Sequence, residues 1–166
     1  MPGLSVAGRG HRAGTLVTGR WIVLAIVVAQ GCPPATRSVL SAGHLANLQA
    51  ESLAPVVHVS GLPIIVREAL RSLFGESVLQ LADPQAPSPP YMFPWTRDRR
   101  LILAGCGPDH CLVHFEHREY GRSLHIVVFG LNKGDAQVEW SGLVPQPVNG
   151  LPELKAVVQR MASETR

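Results

Sequence analysis

The hexapeptide Cys106-Gly107-Pro108-Asp109-His110-Cys111 gathers more chemistry than any other stretch of the chain. Two thiols with four residues between them can close a small disulfide loop. Such a bridge restrains the unfolded chain by about 2 kcal/mol in the chain-entropy picture. Within the loop, His110 is the only side chain that can donate a hydrogen bond to a carboxylate, because ionised Asp109 only accepts and Gly107 and Pro108 carry no polar side chain. Pro108 fixes one dihedral and Gly107 permits a sharp bend. A rigid polar loop of this kind binds with a smaller ordering cost than a floppy one. The plainer reading is a structural disulfide hairpin with a surface histidine. His110 with His114, His117 and Cys111 also suggests zinc. On a strand, however, His117 points away from His114, so no metal site is expected. Glu116, Glu119 and Glu139 form no recognisable catalytic pair, and neither a serine nucleophile motif nor a phosphate loop is present. No catalytic residue and no cofactor are expected, and the chain reads as a binding protein rather than an enzyme.

A second reactive position is Cys32. Arg9, Arg12 and Arg20 precede the nine-residue apolar run Trp21 to Ala29, with no acidic residue before it. A positive stretch followed by a short apolar one is the order of a secretory signal. Spanning a bilayer takes about 20 residues, so the run reads as a signal core and not a permanent anchor. It ends in Val28-Ala29-Gln30-Gly31-Cys32, which resembles the lipobox of bacterial lipoproteins, where a small residue precedes the cysteine that receives lipid. Simple cleavage with Cys32 incidental is the alternative, and a translation start nearer Val17 would shorten the long leading region. With Cys32 assigned to lipid, Cys106 and Cys111 remain as a pair in a compartment that allows disulfides.

The leader also carries the charge. The chain has 15 basic and 12 acidic residues, and removing the three leader arginines leaves equal numbers of each. No basic stripe remains for a phosphate backbone, which disfavours nucleic acid as a partner.

The elements that must position the loop follow from pattern. Residues 32–55, rich in Pro, Ala, Ser and Gly to about Leu53, read as a lipid-attached tether with a short helix near His44–Ser52. Pro63 to Phe74 reads as an amphipathic helix with Val66, Ala69, Leu70, Leu73 and Phe74 on one face, closed by Gly75. The stretch Asp83 to Pro90 reads as a loop. Strands are expected at Arg100–Gly105, Cys111–Phe115, Ser123–Phe129 and Ala136–Val144, with turns around Glu119–Arg122 and at Asn132–Asp135. A last helix is expected over Leu151–Ala162. Trp95 and Trp140 read as core or rim aromatics. Short connections imply an antiparallel meander, so the expected fold is α+β, an antiparallel β-sheet meander with helices packed on one face. The organisation is then 1–31 signal peptide, 32–55 tether and 56–166 functional domain.

The loop and its surroundings resemble the Ivy family, the inhibitors of vertebrate-type lysozyme of the bacterial envelope. Members carry a disulfide-bridged hairpin loop of the form Cys-Lys-Pro-His-Asp-Cys. Cys106, Pro108 and Cys111 match it, with Ala104-Gly105 before, and the similarity extends loosely over residues 60 to 145. Gly107 stands at the family's lysine position, and Asp109-His110 reverses the family's His-Asp order. The resemblance implies that Gly107, Pro108, Asp109 and His110 bind a c-type lysozyme in its active-site cleft, with His110 as the main contact. It implies a periplasmic location on a membrane held through lipid on Cys32; Pro33 rather than Asp after the cysteine favours the outer membrane. An envelope lipoprotein of the same fold with another partner or a structural role is the alternative, a zinc-dependent hydrolase is a third class, and a homodimer is compatible with the chain. Replacing Cys32 by Ser is expected to move the exported protein from the membrane fraction to the soluble one. Unchanged fractionation would remove the lipid attachment.

Overall fold

A computed structural model describes residues 40–86, 98–118 and 121–164. The signal peptide, Cys32, Trp95, Glu119 and the second half of the Pro-rich loop lie outside the described residues. In chain order the elements are α1 (Ala42–Ala50), β1 (Ala54–Val56), a short 3-10 turn (Val59–Gly61), α2 (Ile64–Leu73), β2 (Asp98–Cys106), β3 (His110–Arg118), β4 (Arg122–Asn132), β5 (Asp135–Val144) and α3 (Leu151–Glu164). The five strands form one antiparallel sheet in sequence order, β1-β2-β3-β4-β5. This is the expected α+β meander. No helix among the described residues is long and apolar enough to cross a membrane.

The sheet is buried on both sides. Along β3 and β4, Cys111, Val113, Phe115, Val127 and Phe129 join Val66, Leu70 and Phe74 of the α2 region in one core. The alternate residues Leu112, Leu124, Ile126 and Val128 join Leu45 and Leu48 of α1, Trp140, and Leu154, Val158 and Ala162 of α3 in the other. The expectation of helices on one face therefore holds for α1 and α3, while α2 covers the opposite face. The reason is visible in β3, where eight consecutive residues from His110 to His117 are buried. A strand with no solvent face needs cover on both.

The short helix expected near His44–Ser52 is present as α1, but it is docked in the fold and is not part of a free tether. Ser41 caps α1, its hydroxyl accepting from the His44 N–H, and Leu45 and Leu48 are buried against α3 and the sheet. β1 then pairs Ala54, Pro55 and Val56 with Cys106, Gly105 and Ala104. Residues 40–56 belong to the folded unit, whose first element comes before residue 56.

α2 ends as its sequence suggests, with the Gly75 and Glu76 N–H groups donating to the Ser72 and Arg71 carbonyls. Past it, Ala82 pairs with the outer edge of β2 beside Arg100, so β1 and this segment share the cover of that edge. Two bulges interrupt the ladders, at Ile102 in β2 and at Glu139 in β5.

Replacing Leu48 by Ala should cost about 2–5 kcal/mol, the usual range for a buried leucine, read as a lowered urea midpoint. A tether residue would leave the midpoint unchanged.

Candidate functional site

The sequence-singled loop is the turn of the β2–β3 hairpin. Cys106 and Cys111 stand directly opposite in the ladder, with Cα atoms 4.0 Å apart, and are joined by a disulfide. The Gly107 N–H donates to the His110 carbonyl at 2.8 Å and closes the turn. The Asp109 carbonyl accepts from the Leu131 N–H at 2.7 Å, which ties the turn to β4. Pro108 and Asp109 are the exposed residues of the tip.

His110 is not offered to solvent. Its side chain is about 7% exposed, and Nδ1 lies 2.6 Å from Glu51 Oε2. A carboxylate only accepts, so Nδ1 carries the proton of that bond. On the other side of the ring, Nε2 lies 3.6 Å from Glu139 Oε2, and the second oxygen of Glu139 lies 3.5 Å from His44 Nδ1. The expectation that His110 is the outward contact is thus at odds with its placement. The cause is strand alternation: Cys111 must face the α2 side to sit in that core, so its neighbour faces α1.

Glu51, at the C-cap of α1, is the residue sequence reasoning missed. Its Oε1 accepts from the Asp109 N–H at 2.8 Å and the His110 N–H at 3.2 Å. Room for the carboxylate comes from Gly107, where a Cβ would stand 2.2 Å from Glu51 Oε1. Glu139 reaches the cluster in the same way, lying over Gly130. Lys155 of α3 donates to the Gln49 and Glu51 carbonyls and anchors the end of α1. The signals for Glu51 were slight: a capping serine at position 41 and the Leu45/Leu48 spacing just before it.

His114, His117 and His125, further along β3 and β4, serve the fold. His114 is wholly buried; its Nδ1 donates to the His125 carbonyl at 2.8 Å and its Nε2 accepts from the Val148 N–H at 3.2 Å. Both ring nitrogens are thereby used by a neutral imidazole. Burial lowers its pKa, against the opposing effect of the His125 carbonyl. His125 stacks on Phe115 with ring centroids 5.0 Å apart, next to His117. Burial first, and then the charges of His117, Arg99 and His114, push its pKa down to about 4. His114 and His117 lie on opposite faces of β3, and Cys111 is committed to its disulfide. Among the described residues no three histidine, cysteine or carboxylate side chains form a group that could hold a metal ion.

Glu116 is buried and receives Arg118 and Arg122. Burial would raise its pKa, but the Arg118 hydrogen bond and the charges of Arg118, Arg122 and Arg100 outweigh it and hold the carboxyl below its usual range. Glu76 and Arg99 form a second buried pair, with the guanidinium 4.1 Å over the Phe74 ring. Trp140 is a core residue.

The lowered histidines fix the sign of an acid response. A histidine that stays neutral in the fold but takes a proton when unfolded stabilises fully above its unfolded pKa of 6.5. That contribution is lost as pH falls from 6.5 toward about 4. The urea midpoint should therefore drop across this window, and His125→Gln should flatten the slope even if it lowers the plateau. An unaltered slope would mean that His125 does not contribute.

Comparison of the chain with protein-family models, curated proteins and solved structures finds no match.

Proposed function

We propose that this is an exported binding protein, lipid-anchored through Cys32 on the periplasmic side of a bacterial membrane. In this reading it inhibits a c-type lysozyme by seating the Gly107–His110 turn in the active-site cleft. The observation that carries it is the bracing of that turn from both sides. A disulfide holds it on the α2 face, and the Glu51 carboxylate holds it by three hydrogen bonds on the α1 face. A turn held this firmly needs little further ordering on binding, and it carries Pro108 and Asp109 outward.

The contact chemistry differs from the family pattern. With His110 turned inward, the exposed polar group is the Asp109 carboxylate, an acceptor. A lysozyme cleft contains a general-acid Glu whose pKa is raised to about 6 and an ionised Asp. The protonated acid is a donor that Asp109 can engage, so inhibition should strengthen in mild acid. A second reading, an envelope protein of this fold with another partner, is favoured by the same inward turn of His110, because the resemblance gives the histidine the central role.

Titration of a c-type lysozyme with the exported protein separates the two. Inhibition at micromolar concentration is expected. Below about pH 6, where the lysozyme acid is protonated, Asp109→Ala should weaken it by about 10- to 150-fold, the range for losing a hydrogen bond with a charged partner. Absence of inhibition by the wild type would give the second reading its place.

A further inference from the structure

The tip of the hairpin is governed from outside the hairpin. The disulfide fixes the pairing of Cys106 with Cys111, but the four residues between them still need their peptide planes set. Two consecutive N–H groups, those of Asp109 and His110, point at one oxygen of Glu51, and the imidazole of His110 donates to the other. Successive N–H groups that converge in this way form a concavity suited to an anion. Here the anion is supplied by the chain itself, from a residue 58 positions before Asp109.

We propose that Glu51 is the positioning residue of the hairpin tip and, through it, a determinant of partner affinity. The proposal rests on the turn being the binding element. Glu51 does not act by touching a partner, because its side chain is about 7% exposed. It acts by fixing which way the Asp109 and His110 peptides face. Gly107 belongs to the same device, since any side chain there would collide with the carboxylate. The position of the carboxylate is set in turn by α1, through Leu45 and Leu48 in the core and Lys155 of α3 on the Gln49 and Glu51 carbonyls. The orientation of the tip is thereby linked to the docking of the first helix of the folded unit.

Amide hydrogen exchange on the full exported chain, followed by NMR, reads this directly. In the wild type the Asp109 and His110 amides should exchange slowly, and the His110 ring nitrogens should report a proton on Nδ1. Glu51→Ala should speed exchange at those two amides by at least about tenfold, while Val113 and Val127 in the sheet centre keep their protection. Glu51→Gln retains an acceptor oxygen and should restore slow exchange. Gly107→Ala, which displaces the carboxylate while leaving Glu51 in the chain, should reproduce the loss if Glu51→Ala does not fold. Unchanged exchange at Asp109 and His110 would overturn the proposal. An equal rise at Val113 and Val127 would do so too, since Glu51 would then be a general stabiliser. Where the wild type inhibits lysozyme, Glu51→Ala should inhibit about tenfold less; equal inhibition with a loosened tip would overturn the link to affinity. The expected exchange pattern without wild-type inhibition supports the positioning role and counts against the lysozyme assignment alone.

Discussion

The central strands β3 and β4 have no solvent face, and this constraint organises the rest of the molecule. Leu112 and Val128 point one way, Val113 and Val127 the other, and all four are buried. Two layers of cover are required, and α2 supplies only one of them. α3 lies over the opposite face through Leu154, Val158 and Ala162, and α1 completes that layer with Leu45 and Leu48. Once α1 is needed there, its C-terminal end is delivered to the turn of the β2–β3 hairpin, and Glu51 with it. The bracing of the tip is therefore a consequence of covering the sheet, rather than an isolated loop feature.

The same two-sided burial sets the terms for the polar residues of β3. His114, Glu116 and His117 fall inside the sheet's covers, where an unpaired polar group is costly. His114 is satisfied as a neutral ring between a carbonyl and an N–H. Glu116 is satisfied as an anion between two guanidinium groups. One group is neutral and the other anionic, but the acid response is the same, since protonating either disrupts its bonding. The histidines that looked like metal ligands in the sequence are thus engaged in holding the strand, and their spacing reflects its layers.

Much of the fold was legible because its signals are local. The alternation and turn residues of 100–144 mark four strands, Asn132-Lys133-Gly134-Asp135 marks a tight turn, and the 3.6-residue apolar spacing of α2 and α3 marks two helices. The pairing of Cys106 with Cys111 was legible for the same reason, since a tight turn places them opposite one another. What was not legible depends on distant parts of the chain. α1 was expected as a short helix near His44–Ser52, but its two buried leucines among alanines and polar residues are too thin a pattern to show that it docks on α3 and the sheet and is not part of a free tether. β1 has three residues and owes its conformation to the edge of β2. Glu51 is only slightly marked by its own neighbourhood, because everything it binds through its carboxylate lies in the hairpin turn.

The Asp109-His110 order can be understood from these layers. Cys111 has to face the α2 side to bridge to Cys106, and alternation then sends the residue at 110 beneath α1. Position 109 lies on the turn and stays outside. The opposite order, histidine before aspartate, would put histidine at the outer position and aspartate beneath α1. Here the imidazole takes the inner position, where Glu51 and Glu139 flank its two nitrogens, and a carboxylate is left at the tip. An inner aspartate would face both of those carboxylates and be repelled. Position 110 in this chain therefore calls for a donor, and histidine meets that need. The order of these two adjacent residues thus places an acceptor at the exposed tip and a donor beneath the helix, within a disulfide and a hairpin register that do not depend on it.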